Sequence, residues 1–298
     1  MRDPVHALDK KVDEINTLIR KVDGNRIRAD VAKYVDYLNR FRSSETGLQF
    51  PKDLQNAYVE LAKKHGREIE TELIPWKDAG TQESVIVRII GETSPKEIFI
   101  VGSHLDTICA HQLYCEIYDN MDREYGEDDN ASGTATNFEV FRVIMENNIR
   151  FEKTVEFHAY AAEEAGIDGS RTVARIYMDE RNLDVAAMVQ NDMVLYKGSK
   201  IQIMLDYDNA LNPAMLKLGN TYLTDQAEIF EGNVNGRSDN LRWKNHGVPT
   251  AFPWESEGFP DIHTPHDYGH GLFDYEQAAV FGRLSLLYLL HFAGAKIN

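Results

Sequence analysis

Cysteine is scarce in this 298-residue chain, and so is positive charge. The only cysteines are Cys109 and Cys115. Two thiols exclude a disulfide-rich scaffold, and they cannot form a structural zinc site that wants four closely spaced ligands. Six residues apart in one loop, they are either unpaired thiols or a disulfide stapling that loop. Lys and Arg number 32 against 48 Asp and Glu, a net charge of −16. A phosphate-backbone partner needs clustered cations, so no nucleic acid partner is expected. The longest apolar stretch, Leu284–Ala295, is too short to cross a membrane and contains His291. The first six residues lack the apolar run of a signal peptide. The expectation is a cytoplasmic protein if the chain is complete, and a secreted or periplasmic one if a leader was removed. Repeats, low-complexity segments and Pro/Gly-rich linkers are also missing, so residues 26–298 are expected to form one domain. Residues 1–25 read as a helical appendage to it.

What is present is alternation of two periods. Apolar residues recur at helical spacing over Val5–Val22 and Arg26–Leu38. Arg40–Phe50 reads as a loop, and Pro51 as the first turn of a helix running to His65. Strand patterns then cover Ile69–Leu73, Ser84–Ile90 and Glu97–Gly102, the last apolar on both faces and so internal. Further on, helices are predicted at Thr134–Asn147, Ser170–Met178, Asn212–Leu218, Ser238–Asn245 (capped by Ser238) and Phe273–Phe292. Strands are predicted at Thr154–Ala161, Val185–Val189, Ile201–Leu205 and Pro249–Trp254. This order predicts an α/β fold: a mixed, mostly parallel twisted sheet sandwiched between helices.

Open α/β sheets bind ligands beyond the carboxyl ends of their strands. Here those ends carry His104 and Asp106, then Glu163 and Glu164, then Asp192. Asp128 and Asp129 precede a helix, and Asp261, His263, His266 and Asp267 follow the Pro249 strand. Imidazole with carboxylate suits zinc. So many carboxylates would repel one another without cations between them. Two zinc ions about 3.5–4 Å apart under one bridging carboxylate would relieve that and make a hydrolytic site. His104 and Asp106, two apart in an extended chain, point the same way, so Asp106 can orient the imidazole. Spacing alone leaves His263 and His266 as alternative ligands. His158, mid-strand, reads as a packed histidine.

Five segments occur in order: His104-Leu105-Asp106, Asp128-Asp129-Asn130-Ala131-Ser132-Gly133, Glu163-Glu164-Ala165-Gly166, Asp192-Met193 and His263-Thr264-Pro265-His266-Asp267. Together they resemble the co-catalytic di-zinc aminopeptidases of the bacterial leucyl aminopeptidase type, with a zinc exopeptidase (phosphorylase/hydrolase-like) fold. The resemblance implies two zinc ions per chain. It implies Asp129 bridging them through a segment whose Asp129–Asn130 peptide is cis, His104 and Asp192 on one ion, and Glu164 and His263 on the other. It implies Glu163 as general base for a metal-bridging hydroxide, with Asp106 behind His104. The activity implied is removal of the N-terminal residue of peptides with a free N-terminus; a monomer and a preference for a large apolar first residue are further expectations. Met193, Trp254, Phe259 and Ile262 would line the pocket for that residue. The chain departs from the family where a Tyr often donates to the oxyanion: Asn235 stands there, with Arg237 two residues on and Asn240 where relatives have His. Other readings are a carboxypeptidase, for which Arg237 would hold a terminal carboxylate, a glutaminyl cyclase-like enzyme, or a non-catalytic receptor-like module.

Overall fold

The computed structural model describes residues 12–110, 123–234 and 236–297. Helices α1 (Val12–Ile19), α2 (Gly24–Tyr34) and α3 (Glu45–Lys64) lead into strands β1 (Glu70–Pro75), β2 (Glu83–Ile89) and β3 (Ser94–His104). Then come α4 (Gly133–Glu146), β4 (Arg150–Phe151), β5 (Lys153–Tyr160), α5 (Asp168–Arg175) and β6 (Asp184–Gln190). The chain continues through β7 (Gln202–Asp206), α6 (Asn212–Tyr222), β8 (Glu228–Gly232), α7 (Asn240–Asn245), β9 (Thr250–Ala251), β10 (Pro253–Glu255), α8 (Tyr275–Phe292) and β11 (Ala295–Lys296). The main sheet has the order β1-β2-β5-β3-β6-β9. Its β5-β3-β6-β9 part is parallel, while β1 and β2 run antiparallel. The architecture is the expected mixed α/β sandwich.

Period-2 alternation explains the two layers. On β3, Phe99 and Val101 enter the larger core, beneath α2, α3, α4 and α8. Ile98 and Ile100 face the other way, into a smaller core with Val173, Tyr177 and Trp243 of the α5–α7 side. Burying each such side chain stabilises the fold by roughly 1.5–3 kcal/mol. The α8 helix is buried from Gln277 to His291, as a helix in the middle of a core should be. Ile15, Leu18 and Ile19 of α1 join the larger core. His158 does pack in the interior: it bridges Glu156 (2.6 Å) and Tyr160 (3.0 Å) under the sheet, and Arg88 reaches the same Glu156 at 2.9 Å.

Four expectations change. Helix α3 begins at Glu45 rather than Pro51, capped by Ser44, whose side chain accepts the Gly47 N–H. Pro51 therefore lies inside the helix, where its missing N–H leaves the Gly47 carbonyl unpaired. Gln82 Nε2 donates to that carbonyl at 3.0 Å and to the Arg40 carbonyl at 2.9 Å, which makes the position tolerable. The predicted Pro249–Trp254 strand divides at Phe252. β9 closes the main sheet, and β10 joins a second sheet, β10-β7-β8. Its β8 strand was not expected, because among its residues only Ile229 is buried and the apolar signal is weak. Ser238 does not cap α7; its hydroxyl is used elsewhere.

Arg40 ties the helical layer to the rim of the sheet. It is 1% exposed. Its guanidinium donates to the carbonyls of Leu105 (3.0 Å), Tyr34 (3.2 Å), Tyr125 (2.7 Å) and Gly126 (2.8 Å). Burial lowers its pKa to about 10, against the opposing pull of Asp267, Asp106 and Asp129. Arg40→Met keeps the volume and strands those carbonyls. Urea unfolding should show a loss of about 3–5 kcal/mol; an unchanged midpoint would refute this role.

Candidate metal centre

The register of the three central parallel strands brings the site together. His104, the last residue of β3, lies opposite Tyr160, the last of β5. Three and four residues beyond Tyr160 are Glu163 and Glu164. Gly102 lies opposite Gln190, the end of β6, so Asp192 comes level with His104. The Glu127–Ser132 turn enters α4 from the same side and supplies Asp129; its Asp129–Asn130 peptide is cis. Gly133 is required where this turn meets α4, because a Cβ there would sit 2.3 Å from the Asn191 carbonyl oxygen. His263 arrives on the loop after β10. It has a left-handed φ of 59°, as do Met193 (58°) and Ala162 (49°), each beside a candidate site residue. Strained non-glycine backbone gathered at one place is a mark of functional sites.

The Asp129 carboxylate is central. Its Oδ1 is 2.9 Å from His104 Nε2, and its Oδ2 is 3.0 Å from His263 Nε2. Asp192 Oδ1 is 3.3 Å from the first imidazole, and Glu164 Oε2 is 3.0 Å from the second. One donor pair thus lies on each side of Asp129. A cavity of about 230 Å³ opens onto all five residues and Glu163. Met193, Arg237, Trp254 and Ile262 also line it, as do Val234, Gly236 and Phe252, which sequence patterns did not single out. Phe259 does not. It is 3% exposed and packs edge-on against Phe273 at 4.9 Å, which is the packing role an apolar residue there would equally take. Asn235 lies outside the described residues, as does Cys115; Cys109 is disulfide-bonded. A larger cavity of about 560 Å³ lies between α3 and β2, around Ile89 and Arg67. Ile89 pairs with Val155, at the far end of the sheet from Glu163, and no such imidazole–carboxylate cluster lines it.

The supporting bonds mostly escaped the sequence. Asp267 accepts the N–H groups of Asp128 and Asp129, both at 2.9 Å, and so fixes the turn that presents Asp129. Asp106 does the same for Glu163 (2.9 Å) and Glu164 (3.1 Å). Its oxygen lies 3.5 Å from His104 Nδ1, too long for a good hydrogen bond. Ser238 Oγ donates to Asp192 Oδ2 at 2.5 Å and accepts from Gln190 Nε2 at 3.0 Å. Glu255 accepts from Tyr196 N (2.8 Å) and Phe259 N (2.7 Å), anchoring the loop that carries His263. Asp267 is among the acids that the sequence places after the Pro249 strand, without its role. Ser238 reads as a helix cap, and Glu255 carries no pattern.

The electrostatics describe a site short of cations. Burial opposes charge on both imidazoles, yet neighbouring carboxylates win. His263 is pushed up to about 12 by Glu164 and Asp129, and His104 rises well above its ordinary value beside Asp192, Asp106 and Asp129. Asp129 falls despite burial, because both imidazoles face it. Glu163 and Glu164 rise, through burial and each other's or Asp129's charge. Asp192 Oδ1 and Glu164 Oε1 are buried with no hydrogen-bond partner among the described residues. Donor atoms of His104, Asp129 and Glu164 lie within 4.8 Å of one another. Two imidazoles and three carboxylates with unspent oxygens fit divalent zinc.

An α/β sheet with an imidazole–carboxylate cluster at its carboxyl edge carries the donor set of a candidate metal site. The sequence profile of peptidase family M28 matches residues 84–288. The chain is 30% identical over 267 residues to the probable aminopeptidase YDR415C of Saccharomyces cerevisiae, covering 85% of this chain and 68% of that one. It is 31% identical over 301 residues to leucine aminopeptidase 1 of Uncinocarpus reesii, covering 94% and 73%. The solved structure of LapB from Legionella pneumophila superposes with a TM-score of 0.83 at 25% identity, over 94% of this chain and 75% of that one. The chain belongs to peptidase family M28 and is a hydrolase acting on peptide bonds.

Two buried acids behind the candidate ligands set a pH dependence. Burial raises Glu255 to about 8 and, chiefly by burial, Asp239 also to about 8. Groups raised on folding contribute stability that is complete below about pH 4 and lost as pH climbs through about 8. The urea midpoint of chelator-treated protein should therefore fall between pH 5 and pH 8, and Glu255→Gln should flatten part of that slope. Added zinc should raise the midpoint more at pH 8 than at pH 5, because its ligands must be deprotonated. A midpoint that is flat or rising over that interval contradicts this.

Proposed function

We propose that the chain is a monomeric zinc aminopeptidase that removes the N-terminal residue of peptides, with a large apolar first residue preferred. The observation that carries the reading is the Asp129 carboxylate facing two imidazoles, one per oxygen, each joined by a second carboxylate. In this reading His104, Asp129 and Asp192 hold one zinc, and Asp129, Glu164 and His263 hold the other. All six donor positions come from one chain, with Asp129 counted twice, which is why a monomer suffices. Bound zinc supplies Lewis acidity, polarising the scissile carbonyl and acidifying water.

The protein's own residues do the rest. Glu163 faces the cavity, among the described residues without a hydrogen bond to Lys or Arg, and burial raises its carboxyl pKa, which suits a group that takes up and passes on a proton. It takes the proton of the attacking water at a carboxylate oxygen and returns it to the leaving amine nitrogen. Asp106 keeps Glu163 and its neighbour Glu164 in place through their backbone N–H groups. Met193, Val234, Phe252, Trp254 and Ile262 form the wall on which an apolar first side chain sits. The carboxylate excess around them attracts a free ammonium group. The two curated relatives named as aminopeptidases support the same direction of cleavage.

Zinc-loaded protein should hydrolyse leucyl-nitroanilide, lose that activity to a chelator and regain it with zinc. N-acetylated peptides should resist; if they are cleaved while free N-termini are not, the carboxypeptidase reading replaces this one. Glu163→Gln should keep its zinc and lose about 10²–10⁴-fold in kcat. Wild-type turnover in that variant would remove Glu163 from the base role.

A further inference from the structure

Among the described residues, Arg237 is the only Lys or Arg that lines the candidate catalytic cavity. Its side chain is exposed. Among the described residues no hydrogen bond or ion pair engages its guanidinium, in contrast to neighbouring Arg242, which donates to the carbonyls of Ile167 (3.1 Å) and Gly166 (2.6 Å). The nearby carboxylates do not absorb it either: Asp129, Asp192 and Glu164 face imidazoles, and Asp239 takes the Gln190 amide at 2.9 Å. A fork of N–H donors with no partner among the described residues is thus held at the cavity.

We propose that Arg237 anchors the terminal carboxylate of the substrate, which makes dipeptides with an apolar first residue the preferred substrate class. The proposal rests on the aminopeptidase reading above and narrows it. Three chemistries line the cavity. The apolar wall accepts the first side chain, and the carboxylate-rich floor draws the free amine and the scissile bond. What remains for the guanidinium is a group past that bond. An uncharged peptide extension offers it a carbonyl at most, whereas a terminal carboxylate offers two oxygens that match its planar fork.

The test compares Leu-Gly with Leu-Gly-amide as substrates of zinc-loaded wild type, Arg237→Gln and Arg237→Lys. Wild type should favour the free acid by about 10–100-fold in kcat/KM, the span of a charge-assisted hydrogen bond, with the difference in KM. In Arg237→Gln the ratio should fall to about one, and Arg237→Lys should restore part of it. General damage to the fold would lower both substrates together and leave the ratio standing. Calorimetric binding to Glu163→Gln should show the same order, Leu-Gly tighter than its amide, and lose it when Arg237→Gln is added. A wild-type ratio near one, or a ratio that survives Arg237→Gln, overturns the proposal while leaving the aminopeptidase reading intact. So does a preference for Glu-Gly-amide over Leu-Gly-amide that Arg237→Gln abolishes, since the guanidinium would then read the first side chain. No hydrolysis of any of these substrates, nor of leucyl-nitroanilide, overturns both.

Discussion

Mutual repulsion among buried carboxylates is the constraint on which this structure turns. Asp129, Glu163, Glu164 and Asp192 meet at the carboxyl ends of adjacent strands, and Asp106, Asp128, Asp239, Glu255 and Asp267 stand behind them, all buried or nearly so. Among the described residues no Lys or Arg side chain pairs with any of the four in front. Among the described residues, two imidazoles, the distant field of Arg40 and the exposed guanidinium of Arg237 on the cavity wall are the positive charge brought close. Such crowding is relieved either by protonation of some of these acids or by a bound cation. Zinc is the cation that the donor set fits.

The acids behind the site hold geometry rather than react. Asp267 and Asp106 each accept two consecutive backbone N–H groups, and each thereby fixes a turn that presents a candidate ligand or base. Ser238 restrains Asp192, and Glu255 restrains the loop bearing His263. Hydrogen bonds of this kind matter because each ligand must be placed within a fraction of an ångström for a metal to bind tightly. They also explain how five different segments of chain can build one centre: each segment is fastened by bonds of its own. Arg40 extends the same logic to the helical layer, since one guanidinium joins carbonyls from the end of α2, the residue after β3 and the start of the Asp129 turn.

Much of this could be read from the sequence, for definable reasons. The β3, β5 and β6 strands announce themselves by apolar runs, and polar residues at their ends mark the edge where ligands gather. His104, Asp129, Glu163, Glu164, Asp192, Met193, Arg237, Trp254, Ile262 and His263 do face one cavity. The rest was hidden where local pattern and tertiary role diverge. Pro51 looked like a helix start, but its orphaned carbonyl partner is satisfied by Gln82, 35 residues from Gly47. Ser238 looked like a cap, but its hydroxyl is worth more on a buried carboxylate. Phe259 looked like pocket lining, but the loop needed a core of its own. β8 is too polar to register as a strand until β7 lies beside it.

The central claim is that the Asp129 carboxylate serves two metal ions at once. Metal analysis of zinc-equilibrated, desalted protein tests it directly, with wild type and Asp129→Asn measured side by side. Two zinc ions per wild-type chain, and the loss of tight binding at both positions in Asp129→Asn, are the predicted result. A single ion in wild type, or one ion held undiminished by Asp129→Asn, would contradict it.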